Sequence, residues 1–250
     1  MQKVKELYRE HYTGEQVVTE LNYSDSDWQK SAEYVRNSIF NNQISNKAVV
    51  LGNGPSRTEL TPNLFKLLKN HKGGLLAAGA LQTYGCNAIT RDFIPDFVVA
   101  NDEVASELVN SGACDKTIIY GTAAMVLSYP GKFYLVPQQP AWDMGAIAAY
   151  LACFDGHRTV YLLGFDCYDG HSAEQYVYNV YADTPGYPSS NSPNTEAFFI
   201  KTLEQVMTTY SHVEFVRVMP TATYAMPDSW KYFLNLRQIS FNDFVREVDL

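Results

Sequence analysis

The sequence has no run of 18 apolar residues, so no transmembrane helix is expected. Its first stretch, Met1 to His11, is charged and lacks an apolar centre. That leaves no recognisable signal peptide and points to the cytoplasm. Cysteine is scarce: Cys86, Cys114, Cys153 and Cys167 lie far apart, with no C-x-x-C pair. This pattern argues against a four-ligand zinc site and reads as reduced, mostly buried thiols. Positive charge is also short, with 19 Lys and Arg against 27 Asp and Glu and a formal net charge of −8. Binding along a nucleic-acid backbone needs a positive field, so that class of function drops out, whereas a small anion held by backbone N–H groups does not. Missing too are a G-x-S-x-G elbow, a Walker lysine motif and H-E-x-x-H, so three common enzyme classes lose support. There is no internal repeat and no low-complexity tract.

What is present is a globular composition, 46% apolar and 18% charged, over 250 residues, enough for one large or two small domains. The 18 tyrosines suit either a ligand site or a Tyr-rich core edge. Residues 1–45 read as an N-terminal helical extension. Ser24 and Asp27 offer caps, and Trp28, Ala32, Val35 and Ile39 recur at helical spacing before Asn41 and Asn42. Residues 46–250 read as the main domain. Short apolar runs recur at 48–51, 75–78, 97–100, 117–120, 133–136, 160–163 and 213–216. Such runs mark strands buried on both faces, and their spacing fits strand–helix–strand crossovers. Met144 to Cys153 reads as a buried helix and Thr195 to Tyr210 as another, with Phe198, Leu203 and Val206 among its apolar positions. A further helix is expected around Trp230 to Val248. The fold class is therefore α/β: a doubly wound, mostly parallel, Rossmann-like sheet of six or seven strands. Residues 169–194 break the rhythm and carry tyrosines at 176, 178, 181 and 187, which reads as a lid-like insertion.

Three segments carry candidate chemistry. In Val49 to Ser56 a strand runs into Gly52-Asn53-Gly54-Pro55-Ser56. Glycines there let the backbone approach a phosphate, and the N–H groups of a following helix can hold it; a tight turn without a ligand is the alternative. The third glycine of a dinucleotide fingerprint is absent, replaced by Arg57. The second segment ends a strand at Asn101-Asp102, a pair able to read a base or sugar, or simply to cap the next helix. The third ends a strand at Gly164-Phe165-Asp166, with Asp169 and His171 close behind, fit for acid–base work, for a cation, or for nothing more than a polar exit. His11, His71, His157 and His212 are expected at the surface.

These segments, in this order, resemble the bacterial CMP-sialic-acid-dependent sialyltransferase family and the related Rossmann-like group that includes archaeal 6-hydroxymethylpterin diphosphokinase-like proteins. The resemblance runs from Lys47 to Val218. It is carried by Gly52-Asn53-Gly54-Pro55-Ser56, by Pro95 to Val99, by Gly145 through Asp166, and by Ser192-Pro193-Asn194-Thr195. It implies that Gly52, Asn53, Gly54 and Asn101 contact a cytidine nucleotide. It implies also that Tyr168 and Tyr176, with Tyr178 as rival, steady the departing phosphate without metal. Asn191 stands where that family has a histidine base, Met144-Gly145 where it has Ser-Gly, and Ala141 where it has an arginine. The acceptor-activating role then falls to His171 or Asp166. The expected activity is sugar transfer from a CMP-type nucleotide donor to a glycan or small acceptor hydroxyl, with no tightly bound cofactor and no metal. The alternatives are a Mg²⁺-dependent pterin-type diphosphokinase using Asp102, Asp166 and Asp169, or a nucleotide binder without chemistry. A homo-oligomer is left open.

Overall fold

The computed structural model describes residues 2–9, 16–24, 27–36, 46–71, 81–166, 179–187 and 196–248. The first parallel strand, β4 (Lys47–Leu51), is buried from Ala48 to Leu51, as a strand covered on both faces must be. Around it lie β5 (Gln82–Cys86), β6 (Phe97–Val99), β7 (Ile118–Gly121), β8 (Tyr134–Leu135), β9 (Thr159–Leu163), β10 (Glu214–Met219) and β11 (Leu236–Ser240). With β1 (Gln2–Arg9), β2 (Gln16–Ser24) and β3 (Asp27–Arg36) they form one sheet in the order β11-β10-β9-β4-β5-β6-β7-β8-β1-β2-β3. The strands β4 to β11 are all parallel, and only β1-β2 and β2-β3 pair antiparallel.

The helices divide between the faces as right-handed crossovers demand. While the chain steps outward from β4 to β8, α1 (Ser56–His71), α2 (Ala105–Asn110) and α3 (Ala123–Ser128) cover one face. Their Leu64, Leu68, Leu108 and Met125 share one core with Val49 and Leu51. After β8 the chain returns to the other side of β4, the direction reverses, and α4 (Met144–Phe154) and α5 (Glu196–Thr209) cover the opposite face. There Ala146, Ile147, Leu151, Leu203 and Val206 pack on Val50, Val160 and Leu162. Phe198 instead is exposed. The chain ends in α6 (Phe241–Glu247), whose Phe244 returns to the first core.

Several expectations are corrected. The N-terminal segment is a β-meander, not a helix. Tyr23 pairs with Trp28 in the ladder, and after a register shift at Glu20/Leu21 Val17 pairs with Val35. One extra residue in β3 lets an odd spacing of seven fall in a single cross-strand row, so the 28-to-35 interval mimics a helical period. Tyr23 and Trp28 touch, ring centroids 4.6 Å apart, and Trp28 packs against the main core. Ile39 lies outside the described residues. The run at 75–78 also lies outside them. The strand beside β4 is Gln82–Cys86, whose buried Thr83 is satisfied by Asp96 Oδ2, which accepts from Thr83 N at 2.9 Å and Oγ1 at 2.8 Å. The tail holds a short turn and the edge strand β11 before α6, because Ser240 stops the strand and caps the helix by accepting from Asp243 N. The parallel run therefore has eight strands from Lys47 onward rather than six or seven.

Candidate functional site

Strand order reverses between β4 and β9, and in open α/β sheets ligands enter at the carboxyl ends beside such a reversal. Here the ends of β4, β9, β5 and β6 deliver Gly52 to Ser56, Gly164 to Asp166, Asn87, and Asn101 with Asp102.

The β4–α1 turn is bonded tightly to the end of β9. Gly52 N donates to Leu163 O and Gly54 N to Gly164 O, both at 2.8 Å. Asp166 then reaches the first turn of α1: its carboxylate accepts from Ser56 N at 3.1 and 3.2 Å and from Ser56 Oγ at 2.7 Å. The glycines follow from this approach. A Cβ at Gly52 would lie 2.5 Å from Gly164 O, and one at Gly54 would lie 2.0 Å from Asp166 Oδ2. The expectation that these amides cradle a phosphate is thus corrected: those of Gly52, Gly54 and Ser56 are committed within the chain. The chain's own carboxylate sits where an anion would, complementing the positive end of α1. Pro55 contributes its carbonyl, which accepts from Thr58 N and Oγ1.

The helix α4 is closed in the same way. Asp143 is its N-cap and accepts from Gly145 N at 2.8 Å, and a Cβ at Gly145 would meet that Oδ1 at 3.1 Å. Burial pushes the Asp143 and Asp166 carboxyls above the ordinary aspartate value; hydrogen bonds from their helix termini and, for Asp166, the charge of Arg217 pull the other way. The same crevice pushes the Cys86 thiol up to about 12, through burial first and the charge of Asp143 second, which removes it as a nucleophile.

Asn53 is a strut. Its Oδ1 accepts from Arg57 at 3.0 Å, and its Nδ2 donates to Cys86 O at 3.3 Å and to the Tyr187 hydroxyl at 3.2 Å. Arg57, fully buried, also donates to Gly52 O, Asp92 and the Tyr181 hydroxyl. The described part of the insertion, 179–187, is thereby fastened to the turn. Val180 N donates to Asn53 O, and Arg91 donates to Thr184 Oγ1 and Pro185 O. Asn101 N donates to Asn87 Oδ1 at 3.0 Å, and Asn87 takes a left-handed φ of 52°. Buried Asn101 Oδ1 meets no partner among the described residues. Asp102 is exposed and accepts from Thr122 Oγ1.

Tyr168, His171 and Tyr176 lie outside the described residues, as do Tyr178 and Asp169. Sequence reasoning gave no site role to Asp143, Asn87 or Arg57, and took Tyr181 and Tyr187 only as part of a lid. Asp143 had a signal, an aspartate directly before a small-residue helix, and Arg57 adjoins the turn it braces, four and five residues back; Asn87, Tyr181 and Tyr187 are brought in by long-range packing. His157 is corrected from surface to core: it is 1% exposed, its Nε2 3.0 Å from the Tyr84 hydroxyl that also donates to Asp155. Among the described residues no group of His, Cys, Asp or Glu is placed to hold a metal ion, and no helix is long and apolar enough to cross a membrane.

No family model and no curated protein matches the chain. Two solved structures align with it. One is the sialyltransferase CstII from Campylobacter jejuni in complex with the substrate analogue CMP-3FNeuAc, 16% identical, covering 76% of this chain and 85% of that one with a TM-score of 0.37. The other is a variant of the sialyltransferase CST-II in complex with CMP, 11% identical, covering 81% and 98% with a TM-score of 0.39. The fold assignment rests on the strand order rather than on these alignments.

Proposed function

We propose that the crevice beside β4 and β9 binds a nucleotide-activated sugar of the CMP type and that the protein transfers the sugar to an acceptor hydroxyl. The supporting observation is the reversal of strand order, which gathers Asn87, Asn101, Asp143 and Asp166 around one carboxyl edge. Hydrogen-bonding amides spread over the neighbouring strands β5 and β6 suit a base and ribose. Because Asp166 occupies the mouth of α1, the phosphate is held elsewhere, by the phenols of Tyr168, just before the insertion, and Tyr176 within it. His171 or Asp166 takes the acceptor proton. Gly52, Asn53, Gly54, Pro55 and Ser56 form the wall of the pocket, and Gly145 lets the start of α4 approach it.

The diphosphokinase alternative is disfavoured by the sheet. Asp102 follows β6 and Asp166 follows β9, with β4 and β5 between them. Three strand spacings of about 4.8 Å put them roughly 14 Å apart, too far to share one Mg²⁺ with ligands at about 2.1 Å.

Thermal unfolding with CMP, UDP, GDP, ATP and a pterin, each with and without Mg²⁺, tests the reading. Ligand at a hundred times its Kd adds about 2.7 kcal/mol, which for a chain of this size raises Tm by roughly 5–10 °C. Metal-independent stabilisation by CMP supports the proposal. No shift with any nucleotide overturns it. Binding without release of sugar from a CMP-sugar leaves a binder without chemistry.

A further inference from the structure

We propose that Arg91 is a positioning residue of this crevice: it pins residues 179–187 as a strap across the carboxyl ends of β4, β5 and β6, and so sets the insertion against the pocket. The strap is read from geometry alone; its effect on turnover rests on the nucleotide reading above. Residues 179–187 form neither strand nor helix. They fold as successive turns, in which Ala182 N donates to Asn179 O, Thr184 N to Tyr181 O and Tyr187 N to Thr184 O, at 2.9, 3.1 and 3.0 Å. A segment with so few bonds of its own lies where its outside contacts hold it.

Those contacts follow the strand ends in order. At β4, Val180 N donates to Asn53 O at 2.9 Å. At β5, the Tyr187 hydroxyl accepts from Ala88 N at 3.1 Å. At β6, a Cβ on Gly186 would lie 2.9 Å from Glu103 O, and the φ of 79° at Gly186 is one that glycine adopts freely.

Arg91 ends the short helical turn that follows β5 and binds the strap along its length. Its Nη1 donates to Thr184 Oγ1 at 2.6 Å and its Nη2 to Pro185 O at 2.8 Å. The Thr184 hydroxyl passes the link on, donating to Tyr181 O at 2.5 Å. The guanidinium also lies 5.3 Å from the ring centre of Tyr181 and 5.8 Å from that of Tyr187, so one cation grips both aromatic residues. Glu107 of α2 anchors the cation in turn, accepting from Nε at 2.7 Å and from Nη2 at 2.5 Å. A planar fork can serve Glu107 and the strap together, whereas a lysine ammonium is a single point charge. The two side chains are 23% and 35% exposed, so replacing either takes nothing from the buried core.

Hydrogen exchange on the ligand-free chain tests the strap. Arg91→Met should speed exchange at the Val180, Thr184 and Tyr187 amides about tenfold or more, and leave those of Gly52 and Gly54 within about twofold of wild type. Unchanged rates, or one uniform acceleration of all five amides, overturn the pinning. Arg91→Lys keeps the charge and should behave as Arg91→Met does; full protection in Arg91→Lys overturns the fork. Glu107→Ala, which leaves Arg91 unanchored, should move the same three amides about threefold, and it keeps the test open if Arg91→Met does not fold. Turnover of a CMP-sugar tests the positioning. Arg91→Met should lower kcat about tenfold with KM for the donor within about threefold. Tyr84→Phe, which loosens a buried network that the strap does not touch, is the control for lost stability and should keep its kcat. A kcat loss shared by Tyr84→Phe, or none in Arg91→Met, overturns the positioning role. A wild-type chain that neither binds CMP nor turns over the CMP-sugar overturns the nucleotide reading and the positioning role with it, while exchange still decides the strap.

Discussion

Adding one methyl group at Gly54 should be among the most damaging small changes available to this chain. A Cβ there would stand 2.0 Å from Asp166 Oδ2 and 2.6 Å from Gly164 O. The carboxylate cannot retreat without giving up Ser56 N and Ser56 Oγ, at 3.1 and 2.7 Å. Each hydrogen bond to a charged group contributes about 1.5–3 kcal/mol, and shifting the turn instead incurs overpacking of about 1–3 kcal/mol. Gly54→Ala should therefore cost about 3–5 kcal/mol, a large part of the 5–15 kcal/mol typical of a folded domain. Urea unfolding followed by tryptophan fluorescence measures it. The control is Gly131→Ala, where φ is 79° and nothing lies within 4 Å, so that only the left-handed backbone matters, at about 1–2 kcal/mol. In Gly54→Ala/Asp166→Ala the clash with the carboxylate is gone, and the two losses should fall short of additive by at least about 1 kcal/mol. A Gly54→Ala loss no larger than that of Gly131→Ala would refute the close-approach argument.

Other outcomes follow from the same geometry. Burial raises the Asp143 pKa, so the folded state holds this proton more readily than the unfolded chain. Stability from this group is full at low pH and is lost as pH rises through the folded value. Asp143→Asn, which keeps an oxygen for Gly145 N, should flatten that fall and raise Tm at pH 7; an unchanged pH profile would contradict it. Glu247 behaves oppositely, because its hydrogen bonds to Arg237 lower its pKa. Its stabilisation is present above the ordinary glutamate value and lost as pH falls through the depressed one. Arg237→Met should weaken that acid-side loss by less than about 1 kcal/mol, since the pair is partly exposed. Tyr84→Phe takes a partner from buried Asp155 and His157 and should lower the urea midpoint by the equivalent of about 1–3 kcal/mol, with a neutral change counting against the buried network.

The parallel core was legible because its strands are apolar on both faces. Ala48 to Leu51 and Val160 to Leu163 can hardly be read otherwise, and Met144 to Cys153 announces a helix with no solvent face. The strand β5 was not legible. Gln82 and Thr83 are polar yet fully buried, and what satisfies Thr83 is Asp96, 13 residues further on. The meander was hidden by its own register shift. In the site, the positions of the Gly-x-Gly turn and of Asp166 could be seen, but not that the two bond to each other across 110 residues. Nor could local pattern show that Tyr181 and Tyr187 return to Arg57 and Asn53, since each contact exists only once the sheet has assembled.

A Gly-x-Gly turn after a parallel strand has two physical uses that look alike in sequence. In one, the missing side chains make room for a ligand's phosphate. In the other, they make room for the neighbouring strand's exit, here Gly164 to Asp166. What separates them is the destination of the amides, and in this chain they end on Leu163, Gly164 and Asp166. The same reasoning holds at α4, where Asp143 takes the first-turn amide of Gly145. With a carboxyl group closing each helix mouth, the amides of Ser56 and Gly145 that a Rossmann-like fold would ordinarily offer a phosphate are already taken.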